Sequence, residues 1–294
     1  MQVEFVSGDW QTVLVAGGAL KCAYRSASGQ VHKASVGEEG KFPSQPIKQV
    51  SFFSMPVASL RLLKIYFEHS SPAETLKIQA ERLPTLIAQW ARNSSPNLAV
   101  LRWSEADGLF IIFAGNASPV ESAFFSKEGQ SFGADALAKF HAWKEATLDA
   151  TRYAYAEEIQ TWAEYSAHVA FVALLEQILL HYKELTGLAL LNALGRNINR
   201  VAMEHKCDVS VVLGKITDQA LFSNLEDALW AYNAILSVAF DHVAIVLGQK
   251  LMQQTVHDSL GGLDPRLSRM ARKFDAVARF VMAEPGRVRE RIDA

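Results

Sequence analysis

The chain has 294 residues and half of them are apolar, which is enough for a substantial core and argues against a disordered protein. Its 29 basic and 31 acidic residues leave a net charge of −2, so no global field attracts nucleic acid or an anionic membrane. Two cysteines, Cys22 and Cys207, are too few and too far apart for a disulfide framework and indicate a reducing cytoplasm.

The first ten residues show neither a basic segment nor a long apolar run, so we see no secretory signal and expect a cytoplasmic protein. The candidate for a membrane segment is the apolar stretch from Ala167 to Tyr182. Glu176 and Gln177 interrupt it, and it falls short of the roughly 20 residues that span a bilayer. We therefore expect a core helix and no membrane partner.

The N-terminal part has the pattern of a β-meander. From Gln11 to Ser35, apolar residues alternate with polar or small ones, and the dipeptides Gly17-Gly18 and Ser28-Gly29 mark two tight turns. This pattern predicts three consecutive strands.

The segment that follows is predicted as one strand and one helix. Residues Arg61 to Glu68 form a short run that ends in β-branched and aromatic residues, which favours a strand. Ser71 and Pro72 then have the pattern of an N-cap and a first helical residue, so we expect a helix from Pro72 that is interrupted at Pro84.

A second meander is predicted from Leu98 to Ser126, where three apolar runs are separated by two polar turns. From Ala134 to about Trp162 the composition favours one long amphipathic helix. Its expected inward residues are Leu137, Phe140, Trp143, Leu148 and Tyr153.

The stretch from Gly108 to Leu137, GLFIIFAGNASPVESAFFSKEGQSFGADAL, resembles the core of the PATAN-type domains of bacterial response regulators and related signalling proteins. A glycine-led strand, a short turn and a second apolar strand are followed by a glycine and an alanine-leucine pair that open a helix. The passage from Val13 to Ser35 is similar to the same strand-turn-strand part, which suggests two degenerate repeats. The resemblance covers roughly a third of the chain, which lacks the receiver domain that often accompanies this type. It implies a bacterial signalling role and supplies no catalytic residue.

The stretch from Ala167 to Tyr182 is apolar on almost every side, so other elements must cover it, and we expect a C-terminal helical bundle around it. Gly187 is expected to end this helix, and a second helix is predicted over Leu188 to His205. The β-branched run from Asp208 to Thr217 predicts a short strand or hairpin, and Asp264-Pro265 predicts the start of a last helix.

The clearest periodicity begins after a predicted capping box at Ser223 and Glu226. Apolar residues then recur at alternating spacings of four and three, as in a heptad seam. The seam residues are Leu225, Leu229, Tyr232, Leu236, Ala239, Val243 and Val246. Since the central helix already has several partners, we expect a second copy to cover this seam and predict a homodimer. The candidate interface residues are Leu225, Leu229, Tyr232, Leu236 and Val243.

No motif points to catalysis, a metal or a cofactor. His205 and Cys207 lack the further ligands that zinc needs, and the glycine pairs have neither of the spacings that cradle phosphates. No G-x-S-x-G elbow is present. The excess of arginine after Asp264 is small and fits a solvated helical face better than a nucleic-acid surface. We therefore expect no catalytic residue, metal, cofactor or nucleic acid.

The sequence thus predicts an α+β protein with a β-meander-rich part over residues 1–139 and a helical part over residues 140–294. The first function hypothesis is a non-enzymatic cytoplasmic signalling, regulatory or scaffold protein that acts through protein contacts. The alternative is a sensor that encloses a small ligand or cofactor in the helical half, near His168, Glu176 and His181. An enzyme of unknown type stays open, because a site can be assembled without a linear motif.

Overall fold

The computed structural model describes residues 2–5, 7, 9–16, 19–27, 30–33, 46–52, 54–68, 72–91, 97–103, 108–115, 118–126, 129–141, 146–154 and 159–281. The chain divides into two compact units, Met1–Ala163 and Glu164–Ala294. The first, which we call the β-rich unit, contains two antiparallel sheets, and the second, the helical unit, is mainly helical. The predicted α+β class, with β-rich structure first and helices after it, is confirmed.

The first sheet contains the predicted N-terminal meander. Its strands are β1 (Gln2–Phe5), β2 (Trp10–Ala16), β3 (Ala19–Ala27), β4 (Gln30–Lys33) and β5 (Ile47–Ser51), in the order β4-β3-β2-β1-β5. All neighbouring pairs are antiparallel, so β2, β3 and β4 form the three expected strands. The two predicted turn dipeptides, Gly17-Gly18 and Ser28-Gly29, lie outside the described residues.

The second sheet contains the second predicted meander. Its strands are β6 (Glu74–Gln79), β7 (Asn97–Trp103), β8 (Gly108–Gly115), β9 (Ser118–Ser126), β10 (Gly129–Phe132) and β11 (Thr147–Ala154), in the order β10-β9-β8-β7-β11-β6. The consecutive antiparallel pairs β7-β8 and β8-β9 confirm the meander.

Three helices accompany these sheets: α1 (Val57–Glu68), α2 (Leu83–Ala91) and α3 (Gly133–His141). Helices α2 and α3 cover one face of the second sheet, and Trp90 of α2 is buried there with Leu101, Ile112 and Phe124 of the strands. Burying large apolar side chains in this way is the main favourable term in folding.

The prediction of a strand from Arg61 to Glu68 is wrong, because these residues lie in helix α1. The helix packs against β4 of the first sheet and against β7 and β9 of the second. Residues on all its sides are buried, including Leu60, Leu62 and Ile65. Its polar residues Arg61, Lys64 and Glu68 are spaced three and four residues apart, as on one face of a helix, so the sequence contains a helical period that the strand prediction overlooked.

Two other predictions also fail in this region. Residues after Pro72 form strand β6, although Ser71 itself lies outside the described residues, and the helix begins only as α2 at Leu83, next to the predicted interruption at Pro84. The long helix predicted from Ala134 ends as α3, and Leu148 and Tyr153 lie in strand β11 instead. This strand is paired on both sides, with β6 and with β7, and Leu148 alternates with exposed or half-buried neighbours. The β-rich unit therefore continues beyond the predicted boundary at residue 139.

The helical unit is built around the central helix that the sequence predicts. Its elements are α4 (Gln160–Thr186), α5 (Leu188–Glu204), β12 (Val209–Val212), β13 (Lys215–Asp218), α6 (Leu225–Leu247), α7 (Gln249–Gly262), α8 (Pro265–Ala271) and α9 (Asp275–Val281). The residues of α4 from Glu164 onward belong to this unit. Phe171, Leu174 and Ile178 of α4 are fully buried, which confirms the central helix. The predicted helix from Leu188, the hairpin after Asp208 and the helix start at Pro265 are also confirmed, although the helix from Pro265 ends at Ala271 and the further helix α9 follows it.

Single glycines separate two pairs of consecutive helices in this unit. Gly187 lies between α4 and α5 with φ of 78°, and Gly248 lies between α6 and α7 with φ of 91°. Both values fall in the left-handed region, which glycine adopts at little cost and other residues rarely adopt. The predicted end of the central helix at Gly187 is therefore confirmed, and the same device recurs at Gly248.

Helices α4 and α6 are also long and apolar enough to cross a membrane. Length and composition alone do not separate such a helix from the core helix of a globular domain, because both are apolar over about 20 residues. Within the helical unit, 56% of the most apolar window of α4 and 39% of that of α6 are buried by protein. Other elements of the same chain thus cover a little more than half of this window of α4.

The N-cap of α6 is Asn224 rather than the predicted Ser223. The Asn224 Oδ1 accepts a hydrogen bond of 2.8 Å from the backbone N–H of Asp227. We expect Asn224→Ala to lower the free energy of unfolding by about 0.5–2 kcal/mol, because that N–H loses its partner. Urea unfolding followed by circular dichroism measures the loss. A larger loss for Ser223→Ala than for Asn224→Ala would contradict this assignment of the cap.

Candidate functional site

A cavity of about 960 Å³ lies in the β-rich unit, between the first sheet, helix α1 and one end of strands β7 to β9. Its floor is apolar and buried, and consists of Val13 and Leu14 from β2 with Leu60 and Leu63 from α1. Helix α1 contributes one face, since residues three, four and seven apart lie on the same side of a helix. Cavities of this size with apolar walls are typical of small-molecule sites.

The mouth of this cavity is apolar as well. Phe52 and Val15 line it and are exposed, Phe52 with 78% of its surface in solvent. Leu109 and Phe125 line it from the second sheet and are half-buried. Exposed apolar side chains around a concave surface mark sites for ligands or partners. We call this cavity and its rim the α1 cavity and take it as the candidate binding site.

Among the described residues that line the α1 cavity, Arg102 of β7 is the cation. Its Nη2 donates a hydrogen bond of 2.7 Å to the hydroxyl of Tyr66 on α1. Interaction with Tyr66 raises the pKa of the Arg102 guanidinium above its ordinary value, and Tyr153 and Asp149 add to that effect. Arg102 is therefore positively charged throughout the physiological pH range.

Another face of α1 carries Arg61, Lys64 and Glu68, which are spaced three and four residues apart. Lys64 is unusual for a lysine in being only 2% exposed. Oε1 of Glu68 accepts hydrogen bonds from the Tyr24 hydroxyl at 2.9 Å and from Lys33 Nζ at 3.1 Å. These contacts attach α1 to strands β3 and β4, which holds one wall of the α1 cavity in place.

Cys22 lies beside this network and is buried. Burial is the main cause that raises the pKa of its thiol, and burial likewise raises the pKa of the Tyr24 hydroxyl. A nucleophilic cysteine needs the opposite, a lowered pKa that populates the thiolate. Cys22 therefore acts as a small apolar core residue.

The helical unit contains a buried polar network centred on Asp218. Its Oδ2 accepts hydrogen bonds from Nδ1 of His168 and from the Tyr232 hydroxyl, both at 2.7 Å, and its Oδ1 accepts one from the backbone N–H of Ala220 at 2.8 Å. The carboxylate side chain is 2% exposed. Three donors satisfy a buried anion that would otherwise be costly. The network joins β13 to α4 and α6.

A second network connects three helices of the same unit through His242 of α6. Its Nε2 lies 3.0 Å from the Tyr182 hydroxyl of α4, and its Nδ1 lies 3.1 Å from Nδ2 of Asn197 on α5. Asn197 donates to Nδ1, so in the neutral ring Nε2 carries the hydrogen and donates to Tyr182. Burial lowers the pKa of His242 below its ordinary value. The neutral imidazole is therefore the form that the fold accommodates.

We expect acidification to destabilise the chain through His242. Its pKa is lower in the folded state, so unfolded chains take up the proton first as the pH falls. The stability that the neutral ring contributes is complete above about pH 6.5 and is lost as the pH falls through the lower folded pKa. Thermal unfolding at pH 7.5 and pH 5.5 measures this, and His242→Gln should reduce the difference. Equal pH dependence in both proteins would contradict the assignment.

The structure does not bring together the three residues predicted to line a pocket in the helical half. His168 and His181 are thirteen residues apart on one straight element, which places them about 20 Å apart along its axis. Glu176 between them is exposed, and His168 is bonded to Asp218. One small ligand therefore cannot contact both histidines.

The predicted interface residues lie mostly inside the helical unit of a single chain. Tyr232, Leu236 and Val243 are buried in its core, and Leu225 and Leu229 are half-buried. Contacts with the other helices of the same unit thus explain the heptad-like spacing of α6. The buried seam residues are not available for contact with a second copy. A dimer would have to use other residues of these helices.

Sequence reasoning missed the residues that the fold assembles, namely Arg102, Tyr66, Asp218 and His242. Each depends on a partner far along the chain; Arg102 and Tyr66 are 36 residues apart and His168 and Asp218 are 50 apart. The one available signal is a charged residue at the end of the apolar strand Asn97–Trp103.

No group of three or more histidine, cysteine, aspartate or glutamate side chains that could hold a metal occurs among the residues that the structure describes. Comparison of the chain with protein-family models, curated proteins and solved structures finds no match. The function of this chain is therefore inferred from its geometry.

Proposed function

We propose that this chain is a non-enzymatic regulatory protein whose β-rich unit binds a small, mostly apolar molecule in the α1 cavity. The observation that carries the proposal is the cavity itself, about 960 Å³ with a buried apolar floor and an exposed apolar rim. Protein interiors are packed to the density of organic crystals, so an opening of this size suits a ligand. The proposal keeps the sensor hypothesis from the sequence and moves its pocket to the β-rich unit.

The polar groups of the α1 cavity suit binding better than catalysis. The described polar lining residues are Gln2, Thr12, Ser54, Tyr66, Arg102 and Ser126. Acid-base chemistry near neutral pH relies mostly on histidine or on carboxylates, and none of the described lining residues is of those types. Amide, hydroxyl and guanidinium groups instead fix the orientation of a bound molecule.

Protein contacts are the second part of the proposal, because the helical unit exposes large apolar side chains. Trp230 is 62% exposed and Ile245 is 85% exposed, both on α6. Such side chains on a surface favour association with a protein. The homodimer stays a prediction, and light scattering coupled to size-exclusion chromatography decides between one and two chains.

Several properties inferred from the sequence also stay predictions. They are the resemblance to PATAN-type domains, a bacterial signalling role, a cytoplasmic location, and the absence of nucleic-acid, membrane and cofactor partners. The cavity supports a ligand-responsive role and is neutral toward the rest.

The proposed cavity site is tested with Nile red, a neutral apolar dye whose fluorescence rises on transfer from water to an apolar site. We expect saturable binding of one dye per chain. Leu63→Trp extends an indole from the cavity floor into the open volume and should abolish binding by occupying the dye's space. Fluorescence titration of the full chain measures it, with circular dichroism to verify folding.

The matched control is Leu185→Trp. Leu185 lies in helix α4 of the helical unit, is 57% exposed and does not line the cavity, so this variant adds the same side chain elsewhere. Its dye affinity should equal that of the wild type. Absence of saturable binding, or binding that Leu63→Trp leaves unchanged in a folded protein, would overturn the proposed site.

A further inference from the structure

The α1 cavity has a distinct charge pattern. Among its described lining residues Arg102 is positively charged and none is a carboxylate, while the floor beneath is apolar. A neutral apolar molecule would leave the guanidinium at the cavity wall without a ligand partner. A molecule with an apolar body and one negative group matches both parts of the surface.

The hydrogen bond between Arg102 and Tyr66 leaves donors for such a group. A guanidinium has five N–H donors, and the bond to Tyr66 uses one of those on Nη2. The Tyr66 oxygen accepts in this bond, so its own hydrogen is not used in it. Two guanidinium N–H groups are the donors that a bidentate carboxylate contact employs, and the hydroxyl hydrogen of Tyr66 is a third donor beside them.

The neighbouring charge that competes with a ligand is Asp149. It lies directly opposite Arg102 in the pairing of β11 with β7, so the two side chains share a face of the sheet. Arg102 nevertheless bonds to Tyr66 rather than to Asp149. Tyr66 is in turn held by Tyr153, with ring centres 6.0 Å apart in an edge-on arrangement. These contacts direct the guanidinium toward helix α1 and the cavity that the helix lines.

We propose that the ligand of the α1 cavity is an amphipathic carboxylic acid, with its carboxylate on Arg102 and Tyr66 and its hydrocarbon chain on the apolar floor. This inference rests on the proposed function and adds the chemical class of the ligand. Arg102 recognises the negative charge, and Tyr66 positions the guanidinium and donates to the same group. Leu60 and Leu63 supply the surface for the chain.

The test compares decanoic acid with decan-1-ol, which has the same chain and no charge at pH 7.5. Isothermal titration calorimetry with the full chain, below the critical micelle concentration, gives both affinities. We expect the acid to bind roughly 10- to 100-fold more tightly than the alcohol, as a charge-assisted bidentate contact provides. Arg102→Gln should remove this preference, so that the acid and the alcohol bind with similar affinity. Arg102→Lys keeps the charge without the planar fork and should retain part of the preference.

The outcomes separate this inference from the proposed function. Equal affinities of the wild type for the acid and the alcohol would overturn the carboxylate site and leave the apolar cavity site standing. Equal weakening of both ligands by Arg102→Gln in a folded protein would also overturn it, because the arginine would then only support the wall. If neither compound binds and Nile red does not bind either, the proposed function fails together with the inference.

Discussion

Asp218→Ala is expected to lower the free energy of unfolding by about 3–5 kcal/mol, because three buried donors lose the acceptor that they share. The carboxylate is 2% exposed and is the common acceptor for His168, Tyr232 and Ala220. Its removal leaves three donors in the core of the helical unit without their acceptor. Each buried donor that loses its partner costs about 1–3 kcal/mol, and relaxation recovers part of that sum.

The measurement is urea unfolding of the full chain, followed by circular dichroism at a wavelength dominated by helix. Asp218→Asn keeps the size of the side chain and one acceptor oxygen, so its loss should be smaller than that of Asp218→Ala. Asp208→Ala is the matched control, because Asp208 precedes the same hairpin and is exposed; surface changes of this kind stay within about 0.5 kcal/mol. A loss below about 1 kcal/mol for Asp218→Ala would show that the network does not hold the unit together.

The helical unit was largely predictable because its signals are local. The apolar run of α4, the seam of α6 and the glycine at residue 187 each occupy a few turns of sequence. Periodicity and capping act over the same few residues, so one sequence contains them. The antiparallel meanders were predictable for the same reason, since each strand pairs with the next one along the chain.

Helix α1 and strand β11 were mispredicted from local pattern. Helix α1 is enclosed between two sheets, so buried residues occur on all its sides, and the helical spacing of Arg61, Lys64 and Glu68 is a weak signal beside its apolar residues. Strand β11 lies between β7 and β6, which are distant from it in sequence. Its environment is set by those long-range pairings rather than by its own eight residues.

The error at α1 also hid the candidate site. In a strand, Leu63 and Tyr66 would lie on opposite faces, because side chains alternate. In the helix they are three residues apart and lie on one face, where both line the α1 cavity. The secondary structure of this segment therefore decides whether a site exists, and the position of Arg102 opposite Tyr66 follows only from the tertiary fold.

Leu179→Ala and Leu180→Ala are expected to differ strongly although the residues are adjacent. Leu179 is 2% exposed in the core of the helical unit and Leu180 is 48% exposed. Truncating a buried leucine removes its transfer free energy and leaves a cavity, which costs about 2–5 kcal/mol. Truncating an exposed one should change the free energy of unfolding by less than about 1 kcal/mol.

Leu179→Ala together with a third variant, Leu180→Glu, also tests how α4 is covered, since the helix is long and apolar enough to cross a membrane. If protein covers one side and water the other, Leu179→Ala is costly and Leu180→Glu is tolerated, because a carboxylate at residue 180 stays hydrated. If lipid covers the exposed side, Leu180→Glu places a charge in hydrocarbon and costs about 2.5–3.5 kcal/mol or more. Urea unfolding of the full chain, with the partition of each variant between the membrane and soluble fractions of the expressing cell, separates the two cases. A Leu180→Glu protein that is destabilised as strongly as Leu179→Ala would contradict the exposure of Leu180 to water.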